Sequence, residues 1–173
     1  MGIEDHNLRW GPDGCALKKI LLYLFFFLYT DRFHSGRLRS GAGIAQVAAQ
    51  NGFKVTLCDV SEKALDNGRG IIQKSIARVA KRAHPTDENA QRSLVANVFD
   101  NIKTTTDPKL AVNDGENKAD LVIEAIIEDL KIKQDLFKTL DQWAKPECLF
   151  ATNTSSLSVR DIASTTSDAR RSR

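Results

Sequence analysis

An α/β fold, a parallel sheet with helices on both faces, is predicted by three features of this 173-residue sequence. Short, near-continuous apolar runs at 20–29 (ILLYLFFFLY), 119–123 (ADLVI) and 148–151 (CLFA) read as strands buried on both faces. Helical periods separate them. The third feature is the segment 41–59, GAGIAQVAAQNGFKVTLCD, around which the rest is organised. Gly41, Ala42, Gly43, Ala45, Ala48 and Ala49 leave no bulky side chain to hold such a helix off a sheet, and Gly52 stands where a C-cap glycine belongs. KVTLC is then a β-prone run ending on Asp59. A glycine-opened helix, a strand and a terminal acid form the second half of a Rossmann-like dinucleotide-binding βαβ unit. The helix N-terminus offers N–H groups and a positive dipole end to a pyrophosphate. The acid accepts hydrogen bonds from a ribose diol and would repel a 2′-phosphate, so the expected cofactor is NAD rather than NADP.

The length suits one domain with a single well-buried core. Hydrophobic content of 42% and charged content of 27% are ordinary for a globular protein. A net charge of +3, with no basic stripe interleaved with aromatics, argues against a nucleic-acid partner. Cys15, Cys58 and Cys148 show neither metal spacing nor an even disulfide set, and no metal site is expected. Cys58 and Cys148 fall in predicted strands, as small buried hydrophobes in a reducing compartment.

Residues 1–19 form an irregular N-terminal segment, with His6 where a myristoylation site wants Ser or Thr. The run at 20–29 has three readings: the first strand of the fold, an uncleaved membrane anchor, or a non-native segment. Ten residues are too few to span a bilayer, which needs about 20. Between 30 and 40 a GxGxxG fingerprint should finish. Gly36 and Gly41 supply its outer glycines, whereas Leu38 occupies the middle position, where a side chain obstructs backbone approach. An ordinary loop entering a small-residue helix is the competing reading.

After Asp59, Ser61 is a good N-cap for a long helix with Leu65, Ile71, Ile72, Ile76, Val79 and Ala80 on one stripe, stopped by Pro85. Thr86-Asp87 caps a second helix reaching Phe99, and together they make a helical hairpin inserted at about 61–99. Its basic face (Lys63, Arg69, Lys74, Arg78, Lys81, Arg82) is either solvated or a surface for an anionic, phosphate-bearing ligand. A short strand lies within 101–106, and Asp107-Pro108 opens a small helix. Beyond the strand at 119–123, a helix carrying Leu130, Leu136, Phe137, Leu140 and Trp143 runs to Pro146. Glu124, Glu128 and Lys133 fit a solvated salt-bridge face on it. The strand at 148–151 ends in Thr152-Asn153-Thr154-Ser155-Ser156, more hydroxyls than one helix N-cap explains, and 159–163 begins another helix.

Ligands of open parallel sheets bind beyond the carboxyl ends of the strands. Those ends carry Asp59, Glu124 with Ala125, and the 152–156 cluster. A hydroxyl and an amide can orient a substrate oxygen beside a nicotinamide but cannot take its proton at neutral pH. His6, His34 and His84 all lie away from strand ends, so the general base for hydride chemistry is missing.

From Gly41 to about 168 the chain resembles the NAD-binding domain of the 3-hydroxyacyl-CoA dehydrogenases, on GAGIAQVAAQNG, the strand ending in Asp59, the helical hairpin, DLVIEAIIEDLKIKQDLF and FATNTSSLSV. The resemblance implies oxidation of 3-hydroxyacyl-CoA to 3-oxoacyl-CoA with NAD in fatty-acid β-oxidation, within a domain spanning 20–168. It implies that Asp59 binds the adenosine ribose, that Gly36 and Gly41 serve the pyrophosphate turn, and that Ala125, Glu128 and Lys133 lie on the nicotinamide side. Ser155 and Asn153 match active-site positions, Ser155 binding the 3-oxygen. Ser75 and Arg82 match positions that touch coenzyme A. The family continues into a strand with a catalytic His and a helical dimerisation domain, which this sequence does not contain. The chain is therefore expected to be inactive alone, a truncated product whose atypical first 40 residues suggest an altered exon or frameshift. An acyl-CoA partner, a homodimer in the family, and a mitochondrial or cytoplasmic location follow from the resemblance. A non-catalytic nucleotide-binding or interaction module, or a non-functional product, is the alternative.

Overall fold

Parallel strands need their apolar faces covered on both sides, and this sheet is built that way. The computed structural model describes the backbone of 21–26 and 35–40 and the whole of residues 41–167. Five strands, β1 (Leu21–Phe26), β2 (Lys54–Asp59), β3 (Ile102–Thr105), β4 (Leu121–Glu124) and β5 (Leu149–Thr152), form one sheet in the order β3-β2-β1-β4-β5. All four pairings are parallel. The apolar run at 20–29 thus supplies the central strand over 21–26; its remaining residues lie outside those described. No described helix is long and apolar enough to cross a membrane.

Helices α1 (Ser35–Gln50), α2 (Glu62–Ala83), α3 (Glu88–Phe99), α4 (Pro108–Val112), α5 (Leu130–Asp141) and α6 (Val159–Ala163) connect and follow the strands. Alternation along each strand sorts them into two layers. Val55 and Leu57 of β2 face Ala42, Ala45, Ala49, Ile72, Ile76 and Val98, on α1, α2 and α3. Cys58 and Val122 face the opposite way, into a cluster with Ala111, Val112, Leu136 and Leu140 of α4 and α5. The alanines of α1 bring it close to the sheet, and the Leu65–Ile72–Ile76 stripe of α2 completes that layer.

Two boundaries and one cap differ from those read in the sequence. The first helix opens at Ser35, not at Gly41, so Gly36 falls in its first turn and Gly41 in its second. Arg37, Leu38 and Arg39 are good helix formers, and no proline interrupts them. Ser61 occupies the N-cap position of α2, but its hydroxyl makes no capping bond; instead its N–H donates to Asp59 Oδ1 at 3.0 Å. Helix α5 ends at Asp141, well before Pro146, because Trp143 and Ala144 both donate to Leu140 O and close the helix in a turn. Elsewhere the caps act as their residue types dictate: Asp87, Asp107 and Asp129 each accept a first-turn N–H.

Candidate functional site

The chain leaves β1 toward β2 on one side, and β3 returns across the sheet to β4 on the other. The order therefore reverses between β1 and β4, the place where an open sheet forms a crevice at its carboxyl edge. The register aligns the strand ends there. Phe26 pairs with Asp59, Phe25 with Glu124, and Glu124 with Thr152.

Around Glu124 the edge is a buried polar network. Glu124 and Lys133 are both 0% exposed and pair at 2.6 Å. Glu124 Oε1 also accepts from the Ile126 N–H at 2.5 Å, and Oε2 from the Thr152 hydroxyl at 2.6 Å. Lys133 Nζ donates as well to Ile126 O at 3.4 Å and lies 3.6 Å from Glu128, whose side chain is 19% exposed. Glu128 in turn accepts from the Thr154 hydroxyl at 2.8 and 2.9 Å and from the Ser155 N–H at 3.1 Å. The solvated face read for Glu124, Glu128 and Lys133 is thereby corrected. Glu124 ends β4, Glu128 lies in the loop that follows and Lys133 is on α5; the three turn toward one another, and two carboxylates with one lysine supply each other's solvation.

The same contacts sort the polar cluster after β5. The hydroxyls of Thr152 and Thr154 point to the two carboxylates, and Asn153 and Ser155, in the alternate positions, are exposed. Their backbones are held: Asn153 N–H donates to Glu124 O at 2.7 Å, and Ser155 N–H to Glu128. Ala125, 8% exposed, follows Glu124 directly.

Across the switch point, Asp59 is 1% exposed at the end of β2. Beside it the Cys58 thiol is pushed up to about 12 by burial first, and then by the Asp59 and Asp107 carboxylates. It stays protonated at neutral pH and is neither a nucleophile nor a ligand for soft metals. Glu128, Lys133 and Ser155 are thus in one connected group with Ala125 and Asn153, and Asp59 shares their edge of the sheet. Ser75 and Arg82 stand apart on α2. Their spacing of seven puts them on one side of the helix, about 10 Å apart along its axis; Ser75 is half-buried and Arg82 exposed. Gly36 and Gly41 lie within α1. Among the described residues the histidine is His84, at the C-cap of α2 and away from the strand ends.

The sequence marks Glu124 and the 152–156 cluster as polar strand ends, but not that Glu124, Thr152 and Thr154 turn inward onto one network. The signal was an acid inside the otherwise apolar run LVIEAII, where a charge cannot stay unpaired.

Known proteins resemble this chain in sequence and in fold. The family profile "3-hydroxyacyl-CoA dehydrogenase, NAD binding domain" matches residues 36–172. A probable 3-hydroxyacyl-CoA dehydrogenase of Caenorhabditis elegans is 46% identical over 122 residues, covering 70% of this chain and 38% of that protein. The mitochondrial hydroxyacyl-coenzyme A dehydrogenase of Homo sapiens is 42% identical over 126 residues, covering 73% of this chain and 39% of its own. Among solved structures, (S)-3-hydroxybutyryl-CoA dehydrogenase from Ralstonia eutropha superposes with a TM-score of 0.69 at 28% identity, over 88% of this chain and 47% of that one. The chain therefore spans about 40% of the length of the curated relatives it matches and the matching unit in them is the NAD-binding domain.

Proposed function

The chain belongs to the 3-hydroxyacyl-CoA dehydrogenase family through its NAD-binding domain, and we propose that it holds NAD across the β1/β4 switch point for oxidation of a 3-hydroxyacyl-CoA. One observation carries this reading: a buried acid ends β2 on one side of the crevice, and two exposed polar side chains, Asn153 and Ser155, follow β5 on the other. The residues fit the cofactor by their chemistry. Asp59 supplies the carboxylate a ribose diol needs, while Glu128 and Ala125 offer a carboxylate and a small side chain on the nicotinamide side. Lys133, wholly buried, acts there by holding both carboxylates. Gly36 and Gly41 let the start of α1 approach the pyrophosphate.

NAD, when bound, would accept the hydride from C3 of the substrate, while the 3-hydroxyl proton would go to a general base that the described residues of this crevice do not supply. Ser155 Oγ binds and orients the 3-oxygen, and Asn153 secures the same end of the crevice. Ser75 and Arg82 form an arm of α2 for the coenzyme A moiety, Arg82 as a cation for its phosphates. We assign the protein to an acyl-CoA partner and, with its relatives, to the mitochondrial matrix or cytoplasm, with assembly as a homodimer in the whole enzyme. A titration of the purified chain by NADH fluorescence, with NADPH as control, tests the reading. Saturable binding that prefers NADH supports it, and no binding by a folded chain overturns it.

A second reading, a nucleotide-binding module without turnover of its own, is favoured by the position of His84, on the turn between α2 and α3 and far in sequence from the strand ends. It predicts NADH binding with no NAD reduction when 3-hydroxybutyryl-CoA is added to this chain.

A further inference from the structure

Glu124 is fully buried at the end of β4, between two loops that border the crevice. Its partners come from three elements. The Ile126 N–H is two residues on, Lys133 is nine residues on in α5, and Thr152 is twenty-eight residues on at the end of β5. Its carbonyl takes a fourth contact, from the Asn153 N–H.

We propose that Glu124 is a positioning residue: by tying the 125–129 loop to the 152–155 segment, it sets the direction in which Asn153 and Ser155 face the nucleotide and its substrate. The inference rests on the proposed role of those two residues. Two carboxylates compete for one lysine. Lys133 lies 2.6 Å from Glu124 and 3.6 Å from Glu128, so Glu124 holds the cation and leaves Glu128 to the Thr154 hydroxyl and the Ser155 N–H. Without the Glu124 charge, the lysine moves to Glu128, the only other carboxylate it contacts among the described residues. Drawing Glu128 Oε2 onto the ammonium tilts that carboxylate and weakens the bond its Oε1 accepts from the Ser155 N–H. Loss of the Thr152 contact frees the other end of the same segment without touching the ion pair.

The substitutions that test this are E124Q, T152V and T152S in the full chain, read by NADH fluorescence titration, thermal unfolding and amide hydrogen exchange. Displacing the 125–129 loop, which carries Ala125 and Glu128 on the nicotinamide side, is expected to cost about tenfold in NADH affinity. E124Q and T152V are expected to bind NADH about tenfold more weakly, whereas T152S, which keeps the hydroxyl, binds as the parent does. Exchange is expected to quicken at Ile126, Asn153 and Ser155 and to stay unchanged at Leu136 and Leu140 in α5. A purely architectural ion pair would instead quicken exchange throughout α5. Parent-like affinity in T152V, or equal weakening in T152S and T152V, overturns the inference, as does exchange that rises uniformly. Should E124Q fail to fold, the two threonine variants decide alone. Should the parent not bind NADH, the functional reading fails by itself. The exchange pattern then still decides the positioning role: unchanged protection of Ser155 in T152V overturns it.

Discussion

Asp59 and Glu124 end two strands of one sheet and are equally hidden, at 1% and 0% exposure, yet their surroundings differ in kind. Asp59 Oδ1 takes the N–H of Ser61 two residues on, within its own turn. The layer beside it is apolar, built from the alanines of α1 and the isoleucines of α2. Glu124 gathers an amide, an ammonium and a hydroxyl from three elements, one of them twenty-eight residues away. On the proposed function the acid at the end of β2 serves the ribose of the cofactor. One that neutralises a buried lysine is committed to the architecture, and it reaches the ligand only through what it holds.

The comparison can be broken most severely at Lys133. Lys133→Met leaves Glu124 buried without its cation and is expected to destabilise the chain by about 3–5 kcal/mol, read as a lower urea midpoint. A loss below about 1 kcal/mol would mean that water reaches the carboxylate and that the two acids are alike. Asp59→Asn sharpens the contrast. Asparagine keeps an oxygen for the Ser61 N–H, so unfolding should change by less than about 1 kcal/mol, while NADH affinity falls about tenfold and the preference over NADPH narrows. A large stability loss with unchanged cofactor preference would reverse the assignment of the two acids.

Cys58 offers a smaller effect with a defined pH window. Its thiol is raised from 9.0 to about 12 in the fold, so the folded chain keeps a proton that the unfolded chain gives up. The stabilisation is complete below pH 9 and declines as the pH rises toward 12, by up to about 1.4 kcal/mol per unit. Cys58→Ala removes that slope. The stability difference between parent and variant should therefore shrink across that range, and parallel pH curves would contradict the burial. The least costly change is at a helix cap remote from both acids. Asp87→Ala removes the acceptor of the Ala90 N–H at 2.9 Å and is expected to cost about 1 kcal/mol, with NADH binding unaltered.

What could be read in advance divides along the same line. The caps at Asp87 and Asp107 and the stop at Pro85 act over three or four residues, and the structure uses them where the residue types put them. The start of α1 did not follow from Gly41, because helix-forming residues before it let the helix extend back to Ser35. The end of α5 did not follow from Pro146, because the chain had already turned at Gln142. Glu128 and Lys133 were marked by resemblance, but their burial could not be. Glu128 sits in the loop before α5 and Lys133 within the helix, and no local spacing rule tells that the lysine turns inward to a strand-end carboxylate instead of outward to water.

By itself the sequence determined the α/β class, the parallel strands and the family. Each of these rests on local periodicity and on dense motifs, and local rules need no knowledge of the neighbours. Only the tertiary structure decided which polar residues stand exposed at the crevice and which turn inward to hold the fold. Thr152 and Thr154 turn toward Glu124 and Glu128 while Asn153 and Ser155 turn out, because a buried carboxylate must find donors wherever the fold brings them, and it finds them across β4 and β5 rather than along the chain.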